Sequence, residues 1–238
     1  MKKPISKFFF LASLAMSSLV TAAQGVYLGS TRVVYDSGYK STSLTVASLE
    51  KKRSWLMRSW VNDGESKNKS NRFIITPPLH LLRPGGEFSL RINLIDKEGL
   101  PSDRESIFYI NVMQIPRQST LGDGNKLHGG VDFSITHTIK MFFRPSGLNN
   151  EFDVEKAQKG LDIVRQNGTN YLYNTSPYYI SLKFIKIGGK DIPIENTMLK
   201  PFTGKTPLPK EHNLDTSELN YGVIDDLGGV LESTIIRI

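Results

Sequence analysis

Apolar and polar side chains alternate along one short run after another, and this period of two constrains the chain more than any other feature. The runs are "TRVVY" (31–35), "STSLTVASL" (41–49), "SWLMRSWV" (54–61), "RFIITP" (72–77), "FSLRINLI" (88–95) and "SIFYINVMQI" (106–115), and a long one, "GGVDFSITHTIKMFFRP", covers 129–145. Alternation gives each run one apolar face and one wet face, as in a half-buried strand. Turn-rich clusters such as "NDGES", "RPGG" and "KEGLPSD" separate them, which favours antiparallel return of the chain. A Pro, Gly and Asn-rich bend, "RPSGLNN" (144–150), then precedes a second series: "LDIVRQ" (161–166), "NYLYNT" (170–175), "YYISLKFIKI" (178–187) and "STIIRI" (233–238). Between them "DVEKAQKGL" is a weak helix candidate, with a thin apolar face and Gly160 near its end.

Short strands at this spacing predict an all-β chain of two immunoglobulin-like β-sandwich domains. There is no cysteine, so hydrophobic cores must hold both together without disulfides. The first residues stand apart. Lys2, Lys3 and Lys7 precede an apolar run and a small-residue cleavage site at Val20-Thr21-Ala22, which reads as a signal peptide over 1–23. No later segment has the apolar length of a membrane span, so no membrane insertion is expected after cleavage. Without the three leader lysines the balance is 27 basic to 23 acidic residues, a mild +4. No basic stretch interleaved with aromatics appears, which argues against nucleic acid as a partner.

Nothing in the sequence argues for an enzyme. His80, His128, His137 and His212 have no metal-ligand spacing, and no HExxH or GxSxG pattern occurs. "GKT" at 204–206 lacks the glycine a phosphate loop needs, since Leu199 occupies that position. "SDRES" (102–106) gathers two carboxylates around an arginine, a pattern that fits a structural ion pair better than acid–base chemistry. The aromatics Trp55, Trp60, Tyr178 and Tyr179 leave open an alternative, a carbohydrate-binding module in which rings stack on sugars.

The long run carries Val131, Phe133 and Ile135 on one face and places Lys140 in an otherwise apolar segment. Periodicity alone allows those three side chains to face their own core or a partner. A strand arginine such as Arg32 is by default a solvated surface group.

Several segments together point further. "STRVVY", "SWV" followed by "RFIITPPL", "DRESIFYINVMQIP", "IKMFFRP" and "NTSPYYISL" occur in the order and approximate spacing of periplasmic pilus chaperones of the chaperone–usher pathway, which the chain resembles over nearly its whole mature length. The resemblance implies two domains set like a boomerang, here 24–146 and 150–238, and a periplasmic protein that caps pilin subunits and delivers them to an outer-membrane usher without cofactor or metal. It implies a donor strand at about 129–145 whose Val131, Phe133 and Ile135 fill the groove of an incomplete pilin. It assigns Arg32 and Lys140 to the pilin's C-terminal carboxylate. Glu105 and Arg144 match an interdomain ion network. Its third member, an aspartate in an "NDYG"-like turn, corresponds to Asn220 in "LNYG", with Asp225 or Asp226 near enough to compensate. Pro77 and Pro78 fall in a region resembling part of the usher contact. The loop Arg117 to Gly130 is moderately short by the standards of that family and lacks a cysteine pair, which the resemblance links to the short-loop branch that serves rod-like pili.

Overall fold

A computed structural model describes residues 25–64, 68–116, 133–209 and 218–233, with the backbone of 236–237. The leader, the loop 117–130 and Val131 lie outside the described residues.

Residues up to Arg144 form a two-sheet sandwich. One sheet contains β1 (Val26–Leu28), β3 (Ser41–Ser48), β5 (Phe73–Thr76) and β7 (Glu87–Leu94) in the order β1-β3-β7-β5. The other contains β2 (Arg32–Asp36), β4 (Trp55–Asp63), β6 (Leu79–Leu82), β8 (Ser106–Pro116) and β9 (Ile135–Arg144) in the order β2-β9-β8-β4-β6. The alternating apolar residues meet between the sheets. Leu44, Val46, Leu90 and Ile92 from one face Val61, Ile110, Val112 and Met141 from the other. Tyr35, Phe73, Phe108 and Phe143 form an aromatic cluster within this core, with Phe73 edge-on to Phe108 at 4.7 Å. Tyr35 is fully buried and satisfies its hydroxyl by donating to the Tyr39 carbonyl and accepting from the Leu94 amide.

Two short strands differ from the sequence expectation. β1 was too brief to register as an alternating run. β6 follows the two prolines directly, where the sequence shows no alternating run. Pro77 and Pro78 carry the chain from β5 in one sheet to β6 in the other, where Leu79–Leu82 pairs with β4. Pro78 still accepts a backbone bond from Ser59. Proline blocks a strand only at its own amide, and the residues after it are free to pair.

The second unit holds β10 (Asp162–Gln166), β11 (Thr169–Tyr173) and β15 (Lys205–Pro207) in one sheet. The facing sheet is built on β12 (Ile180–Ile187) and β16 (Glu218–Ile224), with β13 (Lys190–Asp191), β14 (Met198–Leu199), β17 (Val230–Glu232) and β18 (Ile236–Arg237) along their edges. A separate core of Leu172, Ile180, Ile185, Ile187, Leu199, Leu219 and Tyr221 lies between them.

The weak helix candidate does form a helix, α1 (Glu151–Lys159). Its ends explain why. The Asn150 side chain caps the Asp153 amide, Glu151 and Asp153 occupy the first turn, Lys156 and Lys159 the last, and Gly160 takes the C-cap. Only Val154 and Gln158 are buried, so the apolar face is as thin as the sequence suggests and the caps make up for it. β16 is absent from the alternating runs too, because "ELNYGVI" carries a glycine just past its centre. A Cβ at Gly222 would run into the ring of Phe184 on the adjacent strand, so the glycine is there to admit the ring.

Candidate functional site

The site grows from β9. On one side β8 pairs with it from Ile135, opposite Gln114, to Phe143, opposite Ser106. On the other side β2 runs parallel to it and pairs only from Lys140 to Arg144. Among the described residues no strand pairs with that second edge from Ile135 to Ile139. Met141 and Phe143 point into the core and Ile139 packs against its margin. The same face continues past the end of the sandwich, where Phe133 is 73% exposed and Ile135 51%. Of the two readings that periodicity allowed, the structure excludes the own-core one for both residues. The regular strand begins at Ile135, and Phe133 lies just ahead of it.

At the inner end of the open edge stand two cations. Register in the parallel pair sets Arg32 directly opposite Lys140, with both side chains on the outer face of the sheet. Arg32 is 7% exposed, not the solvated surface group expected of an isolated strand arginine. Its Nη1 donates to the Ile224 carbonyl at 2.8 Å, its plane lies over Phe142, and its Nε is buried with no hydrogen-bond partner. Lys140 Nζ donates to Ser181 Oγ at 3.3 Å. Burial holds both side chains below their ordinary pKa values, and Arg32 presses Lys140 down further. Among the described residues neither cation has a carboxylate partner. Asp226, Asp225 and Glu105 act on Arg32 only from beyond ion-pair distance, so two adjacent, part-buried positive charges with no direct carboxylate contact make an anion site.

The nearby acids are already engaged. Arg144 Nε donates to Glu105 at 2.7 Å, with side chains only 4% and 1% exposed. Its two other nitrogens donate to both oxygens of Asp226, at 2.7 and 3.1 Å, and Nη1 also reaches Asn149. The second Glu105 oxygen accepts the amide of Tyr179 at 2.7 Å. Burial opposes the charge on Arg144, but Asp226 and Glu105 outweigh it and hold the guanidinium above its ordinary value. Glu105 and Arg144 thus bond to the second unit through the Tyr179 amide and Asp226, and no bond from Asn220 to either is seen among the described residues. Asn220 sits within β16 opposite Lys186, and the acid comes from Asp226 in the turn "DDLGG" six residues on. Asp225 shapes that turn by accepting the amides of Leu227 and Gly229, and Gly228 supplies a φ of +89°. An aspartate followed by paired glycines is a turn signal, so the sequence held the clue. Ser181 and the Ile224 carbonyl carried no such signal.

Arg104, the arginine of "SDRES", pairs with Asp103 at the surface, while Glu105 turns inward. The four aromatics of the carbohydrate reading do not form one platform. Tyr178 is buried and donates to the Leu148 carbonyl, Tyr179 stacks on Phe142, Trp55 packs on the core, and Trp60 lies on the outer face beneath Arg58. Beside Trp60, around Pro78, the outer face leaves Leu56, Leu79 and Leu81 37%, 56% and 41% exposed.

Comparison with known proteins gives concordant matches to both units. Residues 25–149 match the family model described as pili and flagellar-assembly chaperone, PapD N-terminal domain, and residues 156–235 match the pili assembly chaperone PapD C-terminal domain. Chaperone protein FocC of Escherichia coli is 36% identical over 208 residues, covering 87% of this chain and 88% of that one. The solved periplasmic chaperone SfaE is 34% identical with a TM-score of 0.70, over 88% of this chain and 97% of SfaE. A chain from the complex of the Salmonella enterica SafA pilin with the SafB chaperone aligns with a TM-score of 0.73 at 26% identity, over 92% of this chain and 97% of that one.

Proposed function

Because the chain belongs to the pilus-assembly chaperone family, we propose that it caps pilin subunits in the periplasm by lending them β9. The observation that carries this reading is the unpaired edge from Ile135 to Ile139 with exposed Phe133 and Ile135 beside it. A subunit lacking a strand exposes an apolar groove and a row of unsatisfied backbone groups. The open edge of β9 pairs with those groups whatever the client's sequence, and the apolar side chains enter the groove. Full burial of each contributes about 1.5–3 kcal/mol before ordering costs. Arg32 and Lys140 receive the client's terminal carboxylate and so set the register, since a slip of one residue would turn every donor side chain away from the groove. By the sequence alternation Val131 belongs with the donor residues, the Glu105–Arg144–Asp226 bridge holds the two units in place around the anchor, and the leader 1–23 directs export. Units over 24–146 and 150–238 remain the proposed division.

The exposed leucines around Pro78 support a second contact on the outer face of β4 and β6. An apolar patch clear of the donor edge leaves a capped client free to meet an usher.

The test is a periplasmic pull-down from cells expressing a pilus locus, comparing wild type, Lys140→Ala and Ile135→Asp. Wild type should recover small β-rich subunits and both variants should lose most of them. Equal recovery by all three would refute the donor-edge reading.

A further inference from the structure

We infer that Ser181 is a positioning residue for Lys140, and that the second unit, through Ser181 and the Ile224 carbonyl, aims both cations of the carboxylate anchor. This rests on the anchor reading above and adds to it residues that the N-terminal unit does not contain. The geometry is specific. Leu182 on β12 pairs with Val223 on β16, so Ser181 and Ile224 are neighbours at one end of the two strands. Each supplies one acceptor, the Ser181 hydroxyl to Lys140 and the Ile224 carbonyl to Arg32. Ser181 is 2% exposed and held by β12, so its oxygen is a fixed point.

An ammonium has three donors on a flexible stem, and a guanidinium has five in a rigid fork. Holding one donor of each orients the rest before any client arrives, and the Nε of Arg32 is left buried and unpartnered. Preorganised donors lose less freedom on binding than free ones. The anchor therefore spans the domain junction. Its strength for a carboxylate depends on how the second unit sits, whereas strand addition along β9 does not.

The test uses a peptide of alternating valine and threonine with a free C-terminal carboxylate and the same peptide amidated, each titrated calorimetrically into wild type, Ser181→Ala and Ser181→Thr. Wild type should favour the acid by about tenfold or more, the worth of a hydrogen-bonded charge pair. Ser181→Ala should reduce that preference about fivefold and leave affinity for the amide unchanged, and Ser181→Thr should restore it. If Ser181→Ala keeps the full preference, or weakens acid and amide equally, the inference is overturned and the anchor reading stands. If wild type itself shows no preference, the anchor reading fails. If neither peptide binds wild type, strand addition fails. Acetate titration followed through the Lys140 ammonium signal in wild type and Ser181→Ala then decides the role of Ser181, with equal acetate affinity overturning it.

Discussion

Replacing Asp226 with asparagine isolates the bridge between the two units. Arg144 is bound by three carboxylate oxygens, one from buried Glu105 and two from Asp226, whose side chain is 33% exposed. In Asp226→Asn, Arg144 and Glu105 still neutralise each other, so no buried charge is stranded. What is lost is one hydrogen bond, since the new amide nitrogen cannot accept, and the charge on the other at a partly wetted site, about 1–2 kcal/mol. In Glu105→Gln the change falls at a carboxylate that is 1% exposed and also holds the Tyr179 amide. That leaves a buried guanidinium with only a partly solvated partner, for a cost of about 3–5 kcal/mol. Asn220→Ala, on a strand facing Lys186 and away from Arg144, should cost less than about 0.5 kcal/mol. Urea unfolding monitored separately in each unit gives the three values, and residual dipolar couplings report whether the units reorient. The expected order is Glu105→Gln, then Asp226→Asn, then Asn220→Ala, with reorientation in the first two. An Asp226→Asn protein as stable and as rigid as wild type, or an Asn220→Ala protein that reorients, would refute this account of the bridge.

Phe133→Ser with Ile135→Ser should leave the unfolding midpoint nearly unchanged, within about 0.5 kcal/mol, because both residues are already exposed. Client capture in a pull-down should nevertheless collapse. Burial and the Arg32 charge depress the Lys140 pKa in the folded chain, so between that value and the ordinary lysine value of 10.5 the unfolded chain binds more protons and stability of the free protein should rise with pH. Binding of a carboxylate should weaken over the same interval as the ammonium deprotonates. Paired thermal melts and peptide titrations across that range should therefore move in opposite directions, and parallel movement would contradict the assignment. Gly222→Ala should cost about 1–3 kcal/mol, since the new Cβ must displace Phe184 from a packed strand pair. Gly222→Ala with Phe184→Ala should recover part of it, measured by the same urea unfolding.

The period-two runs and the turns between them were enough to predict two sandwiches, because a strand with one apolar face has few ways to bury it. Ordered motifs pointed to the chaperone family, and both family models match. Local signals failed where neighbours decided the matter. Gly222 makes a poor strand residue until Phe184 lies against it. The helix at Glu151–Lys159 depends on its end caps more than on its apolar face.

At the site, the sequence determined which residues carry charge and which face of the long strand is apolar. It could not determine that the same face leaves the core between Ile139 and Ile135, because that depends on where the opposing sheet ends. It offered Asp226 only as one of two neighbouring acids and could not find Ser181 or the Ile224 carbonyl; the three lie 82, 41 and 192 positions from the groups they hold. Contacts of that range follow from how the two units meet. A one-dimensional pattern records each residue's own chemistry and periodicity, and only the folded chain sets which distant atoms come within hydrogen-bond reach.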